Sequence, residues 1–269
     1  MLELINKVKE INPLVLHYTN EVTINDCANI TLALGASPLM SYSNEEVEDI
    51  VSIASSVVIN IGTMNSNRLD LFLQAGKAAN KFNKPVILDP VGVFATKTRT
   101  DFTNKLLNKI KFDVVKGNVA EIKFIGCLDV RGQGVDSFDD GEDISEVIKK
   151  VAKKLGCIVV ATGKVDFISD GNTVIKIFNG TSKLKSVTGT GCMTGSLIGS
   201  YLGAYNSLEG RERDNFKKVE VVAMGVLTMA VSGELADKDN IAIGTFKEEL
   251  MNNVYEMNID KLKEYGRIE

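Results

Sequence analysis

The chain has 269 residues, with 31 Lys and Arg against 35 Asp and Glu, a formal net charge of −4, 44% hydrophobic and 25% charged residues. These proportions exclude disordered, collagen-like and coiled-coil architectures, and the charge balance offers no basic footprint for nucleic acid. Length permits one or two domains whose core needs no disulfides; Cys27, Cys127, Cys157 and Cys192 form no CxxC pair and no even cluster, a pattern of reduced cytoplasmic thiols.

In chain order, the opening segment MLELINKVKEINPL mixes acids and bases with apolar positions at helical spacing, unlike the basic start and apolar centre of an export signal. The single histidine, His17, has no cysteine at ligand spacing, which argues against the usual zinc sites and favours a structural role. Short β-branched runs at 56–62, 85–89, 113–116 and 157–162 predict strands buried on both faces. Between them, segments 45–55, 68–82, 100–110, 119–125 and 144–155 have helical periodicity, so the repeat is strand then helix, giving a parallel sheet with helices on both faces. The polar stretch 131–143 reads as a surface loop, and 167–178 alternates around Asp170-Gly171-Asn172 as a hairpin added to the sheet. Helices are expected at 191–205, 215–235 and 246–257. No linker or repeat interrupts the pattern, so one α/β domain over 1–269 is expected.

No charge occurs between Lys185 and Glu209, and Gly191, Gly195, Gly199 and Gly203 recur every four residues, as at membrane-helix contacts. Thr188, Thr190, Thr194, Ser196, Ser200, Tyr201, Asn206 and Ser207 are too many polar groups for a lipid-facing span. A buried helix whose glycine ridge admits a close neighbour is the expectation, with no membrane partner.

Ligands of parallel sheets bind beyond the carboxyl ends of the strands. There the sequence offers Asp89-Pro90-Val91-Gly92, Lys116-Gly117-Asn118 followed by Glu121, and Thr162-Gly163-Lys164. Asp89 and Glu121 are either a strand cap and a solvated helix residue or a carboxylate pair suited to Mg²⁺, which takes one or two protein carboxylates and keeps several waters. Thr188-Gly189-Thr190-Gly191-Cys192 leads into the uncharged helix; glycines there free backbone N–H groups to converge on an anion, aided by the helix dipole. The stretch is neither a phosphate-binding GxxxxGK[ST] loop nor the GxGxxG dinucleotide fingerprint. Cys192 lies in the first turn, where the dipole lowers a thiol pKa, so it is a candidate thiolate, base or proton acceptor. The other three cysteines are expected to be small buried apolar groups.

Taken together these segments resemble the hydroxyethylthiazole kinases of the ribokinase-like superfamily. The resemblance rests on Thr19-Asn20, on 33–40 (Ala-Leu-Gly-Ala-Ser-Pro-Leu-Met) followed by Glu45-Glu46, and on the strand-end and cradle motifs above. It implies a three-layer ribokinase-like fold, with a mostly parallel central sheet, helices on both faces and no lid domain. It also implies ATP-dependent phosphorylation of the primary alcohol of 4-methyl-5-(2-hydroxyethyl)thiazole, in thiamine salvage, by a cytoplasmic homotrimer with active sites at subunit interfaces. By the same resemblance Asn20, Met40 and Gly189 are thiazole contacts, Lys116 and Thr162 ATP contacts, Asp89 and Glu121 the Mg²⁺ and phosphate carboxylates, and Cys192 the proton acceptor. The family commonly has Arg where this chain has Lys116, which loses a planar fork but keeps the charge. Competing readings are another small-alcohol kinase of hydroxymethylpyrimidine type, a relative that dehydrates hydrated nicotinamide cofactors, a non-catalytic thiazole or nucleotide sensor, and an NAD-binding domain, the last opposed by glycine spacing.

Overall fold

Side chains alternate across a strand, so a strand buried on both faces carries apolar residues on both, as the central strands of this chain do ahead of the polar groups near their carboxyl ends. A computed structural model describes residues 1–130, 143–238 and 241–269. The elements run α1 (Leu4–Ile11), β1 (Leu14–Tyr18), α2 (Ile24–Leu34), β2 (Ser37–Met40), α3 (Val47–Ile53), β3 (Ser56–Asn60), α4 (Ser66–Lys81), β4 (Val86–Asp89), α5 (Lys97–Lys109), β5 (Val114–Asn118) and α6 (Val119–Gly126). They continue with α7 (Ile144–Leu155), β6 (Ile158–Thr162), β7 (Asp166–Ser169), β8 (Val174–Ile177), a 3-10 turn at Ser182–Ser186, α8 (Thr190–Ser207), α9 (Gly210–Asp214), α10 (Lys218–Ala236), α11 (Ile243–Tyr255) and α12 (Ile259–Tyr265).

All eight strands form one sheet in the order β2-β1-β3-β4-β5-β6-β7-β8. Pairing is parallel from β2 through β6 and antiparallel for the β7–β8 hairpin. Two apolar clusters cover its faces. Val15, Val58, Ile87, Val114 and Val160 meet α1, α2, α8 and α10–α12, while Leu16, Val57, Ile59, Leu88, Val115 and Val159 meet α3–α7. The predicted strands, hairpin and two-sided helical cover are therefore present. β1, β2 and α2 are additional, and the segment expected as one helix at 215–235 begins at Lys218, behind the short α9. The predicted loop 131–143 lies, except for Asp143, outside the described residues.

The glycine ridge of α8 rests on the sheet. A Cβ at Gly199 would stand 2.9 Å from Val58 Cγ2 and 3.0 Å from Val15 Cγ1, and one at Gly203 3.1 Å from Pro13 and Ser55. α10 crosses the opposite side of α8, where a Cβ on Gly225 would lie 2.7 Å from the Ile198 backbone nitrogen. Among the described residues α10 is the one helix long and apolar enough to cross a membrane, and most of it is buried inside the protein. The chain's last residues return to the sheet: Lys176 and Glu269 exchange backbone hydrogen bonds of 2.8 and 2.9 Å beside β8.

Candidate active site

The two-residue period that sorts the core also selects the polar groups. Val15, Val58, Ile87 and Val114 face α8, so His17, Asn60, Asp89 and Lys116, two residues further on, share that face at the carboxyl ends of their strands. Asn60 and Asp89 are direct cross-strand partners, and Asn60 Nδ2 donates to Asp89 Oδ2 at 2.9 Å. Lys116 Nζ lies 3.4 Å from the same oxygen and donates to the Gly191 carbonyl at 3.0 Å. Asp89 and Lys116 are both buried, a pair whose partners must balance each other because neither has bulk water. Burial pushes the Asp89 carboxyl up, against the pull of Lys116. Burial opposes the Lys116 ammonium, but Asp89, Cys192 and Glu121 outweigh it and hold its pKa above the ordinary value.

Gly189 caps α8 with φ +92°, and a Cβ there would meet Thr23 Cγ2 at 2.7 Å, so both conformation and space require glycine. The first-turn N–H groups of α8 have no acceptors within the helix. A Cβ on Gly191 would stand 3.1 Å from Lys116 Nζ, which shows how closely the ammonium underlies this cradle. The Thr190 hydroxyl is turned away, donating to the Leu184 carbonyl at 2.8 Å. Cys192 is half-buried, and its sulfur receives Asn20 Nδ2 at 3.3 Å and Asn60 Nδ2 at 3.2 Å. Burial and the Asp89 carboxylate push its thiol up, while Lys116, Thr23 and Asn20 pull it down without reversing the shift. The expectation of an acidified thiol is thus corrected: the protonated form is favoured at rest.

The remaining expected residues divide by distance. Glu121 is buried and closes a capping box with Asn118, and its two carboxylate oxygens accept from Asn118 N and Gly92 N at 2.8 Å each. It is neither solvated nor free, so it ties the turn after β4 to the start of α6. Thr162 sits at the end of β6, donating to the Gly117 carbonyl at 3.3 Å. Met40, half-buried at the end of β2, pairs in register with His17. Asn20 follows β1 and accepts from Thr23 N at 3.1 Å. The structure thus brings Asn20, Asp89, Lys116, Gly189, Gly191 and Cys192 together, with Glu121 and Thr162 further along the rim and Met40 towards the β2 edge.

Two contributors, Asn60 and Arg99, escaped the sequence reading. Asn60 has the weak signal of an amide ending an apolar run. Arg99 has none, yet its guanidinium donates to the carbonyls of Ile61, Gly62 and Val91 at 3.0, 2.7 and 2.8 Å, clamping the turns after β3 and β4 together. His17 is structural as expected, but it is tied to α8: Nδ1 contacts the Val15 carbonyl and Nε2 contacts Ser196 Oγ, each at 3.0 Å. Of the cysteines expected in the core only Cys27 is buried; Cys127 and Cys157 are half-buried.

Among the described residues no group of three or more His, Cys, Asp and Glu could hold a metal ion. One carboxylate shared with a lysine and another capped by two amides fit an ion that arrives on a nucleotide and keeps water and phosphate ligands.

The sheet order and the cradle at the start of α8 define a ribokinase-like fold. A ribokinase-like superfamily protein from Enterococcus faecalis V583 matches it with a TM-score of 0.62 over 90% of this chain and 86% of its own, at 14% identity. A structure of hydroxyethylthiazole kinase protein from Pyrococcus horikoshii OT3 is nearer, with a TM-score of 0.86 and 32% identity over 100% of this chain and 97% of its own. The hydroxyethylthiazole kinase of Clostridioides difficile (strain 630) is 63% identical over 100% of this chain and 99% of its own. Residues 5–260 match the hydroxyethylthiazole kinase family, and the chain belongs to that family. It is a kinase by that membership.

Proposed function

We propose that this enzyme transfers the γ-phosphoryl group of Mg·ATP to the primary alcohol of 4-methyl-5-(2-hydroxyethyl)thiazole. The observation that carries the reading is the convergence of the α8 cradle, the Cys192 sulfur and the Asp89–Lys116 pair on one rim. The new bond joins the substrate oxygen to the γ-phosphorus, the bond to the β-bridging oxygen breaks, and ADP leaves with that electron pair. A loose transition state makes positioning and charge stabilisation the main sources of rate. N–H groups of Gly189–Cys192 hold the transferring group, and Lys116 offsets its charge from beneath the cradle rather than as an exposed clamp.

Magnesium would arrive with ATP as part of the substrate, where it would neutralise phosphate charge, and Asp89 and Glu121 are the carboxylates that would hold it. Asn20 and Met40 line the thiazole side, and Thr162 the nucleotide side. The thiolate fraction of Cys192 takes the substrate proton late, becoming the thiol, which returns the proton to solvent to regenerate the thiolate. Because the resting thiol is protonated, acceptance there contributes at the low end of the roughly 10²- to 10⁴-fold range of base catalysis.

The chain works as one lidless cytoplasmic domain in a homotrimer. Leu32, on the helix that packs against β2, and Tyr42, two residues beyond Met40, are exposed, and β2 is an unpaired sheet edge; an open strand edge flanked by apolar groups suits a subunit contact that completes the pocket. The decisive experiment is ADP release on mixing with Mg·ATP and a panel of alcohols. Preference for the thiazole alcohol supports the reading. Faster turnover of a hydroxymethylpyrimidine, or binding of the thiazole without ADP release, overturns it in favour of a different kinase or a sensor.

A further inference from the structure

Asn60 has all its hydrogen-bonding capacity committed inside the site. Its Oδ1 accepts from Gly62 N at 2.8 Å and from Asn20 Nδ2 at 3.0 Å. Its Nδ2 donates to Asp89 Oδ2 at 2.9 Å and to Cys192 Sγ at 3.2 Å. An amide offers two N–H bonds and two principal acceptor directions, so these four contacts saturate it. They also fix which end is which, because the Gly62 N–H can only donate and so demands the oxygen. The reversed amide would turn its oxygen on a carboxylate and a sulfur. Asn20 is oriented the same way, since its Oδ1 takes Thr23 N.

A residue serving only to cap β3 would need the oxygen side alone. The nitrogen side does something different: one NH₂ group spans the carboxylate that faces the phosphates and the sulfur that faces the substrate alcohol. Resting on the reaction proposed above, we infer that Asn60 is a positioning residue for phosphoryl transfer, holding the Cys192 sulfur and the Asp89 carboxylate at a fixed separation through its single amide nitrogen. The two N–H donors from Asn60 and Asn20 occupy two lone pairs of the Cys192 sulfur and, in its thiolate form, leave the third for the substrate O–H. Both contacts favour the anionic sulfur over the neutral one. Asn60 touches neither substrate in this scheme; it acts through Cys192 and Asp89.

The test is a double-mutant cycle on the full-length enzyme, using Asn60→Ala, Cys192→Ala and the pair, with hydroxyethylthiazole and Mg·ATP as substrates. Asn60→Ala is expected to lower kcat about 30-fold while both KM values stay within about threefold, the pattern of an interaction that matters in the transition state. Combined with Cys192→Ala, its further cost should shrink at least about fivefold, because interacting residues are non-additive. Asn60→Asp keeps the oxygen that caps Gly62 but removes both donors, and it should lose kcat similarly. If Asn60→Ala does not fold, Asn60→Asp decides by the same criteria. A kcat within threefold of the parent, a loss confined to KM, or losses that multiply fully in the double variant overturn the inference while leaving the proposed reaction intact. A parent enzyme with no turnover of the thiazole alcohol overturns both.

Discussion

At Cys192 two influences oppose each other: the helix start and Lys116 favour a thiolate, while burial and Asp89 favour the thiol, and the second pair prevails. The consequence is a base of modest value, so Cys192→Ala should reduce kcat only about 10- to 100-fold, below the upper range for a well-matched base. Cys192→Asp should retain more activity than Ala, and steady-state turnover of both variants checks this; an Ala variant with parental kcat removes the proton-acceptor role. Asp166 gives a pH signature elsewhere on the rim. Burial pushes its carboxyl up to about 6, although Gly163 N donates to it at 2.9 Å. A carboxyl raised in the folded state stabilises the protein below its unfolded pKa, and that stability is lost as pH rises through the folded value. Asp166→Asn keeps an acceptor for Gly163, so its unfolding free energy should match the parent near pH 4 and exceed it by about 2 kcal/mol by pH 8. Denaturant melts across that range test the sign. Sequence reasoning found Asp89, Glu121 and Cys192 because each ends a strand or starts a helix in a recognisable motif. It missed Asn60 because one amide after an apolar run has no spacing to distinguish it, and it missed Arg99 because its three acceptors are backbone carbonyls, invisible in side-chain patterns.

Among the elements, α8 carries most of the constraint, lying between the sheet on its glycine side and α10 on the other. Adding a methyl group at Gly225 would press on the Ile198 backbone, which cannot rotate away as a side chain can. Gly225→Ala should therefore destabilise by about 1–3 kcal/mol, as overpacking does. Gly244→Ala, in α11 with no atom within 4 Å of its Cβ position, should instead be neutral or stabilising by up to about 1 kcal/mol. Thermal melts of the two variants make the comparison; equal effects would mean that the α8–α10 crossing has slack. Strands β3 to β6 were legible because each carries a run of at least two consecutive β-branched residues that ends in a polar residue at or near its carboxyl end. β1 was not, because His17 and Tyr18 interrupt the pattern and are made tolerable only by Ser196 and by packing against Phe72. β2 is short and contains Pro38, a residue accepted in a strand only where one side needs no donor, which here is the sheet edge.

For the whole molecule, the two sheet edges differ. The β2 edge is bordered by exposed Leu32 and Tyr42, and the proposed trimer uses it, so mass measurement in solution should give three times the chain mass of 29.2 kDa. Substituting both residues with Asp should shift that mass towards the single chain and reduce turnover together, since the pocket would lose its neighbouring wall. A monomer with full turnover would dissociate catalysis from assembly. At the other edge, β8 is covered by residues 267–269, with Arg267 also tied to Glu234 and to the Phe178 carbonyl. The cover is only a few residues of main chain, so removing residues 267–269 would strip the hydrogen bonds they make to Lys176 and Phe178. Protein lacking residues 267–269 should form particles on storage while freshly diluted samples still turn over, because the newly bared ladder is a template for other chains. Light scattering of trimmed and intact enzyme at equal concentration would reveal it. Shelf life would then be set at the end of the sheet most distant from the substrate pocket, independently of anything that tunes the rate.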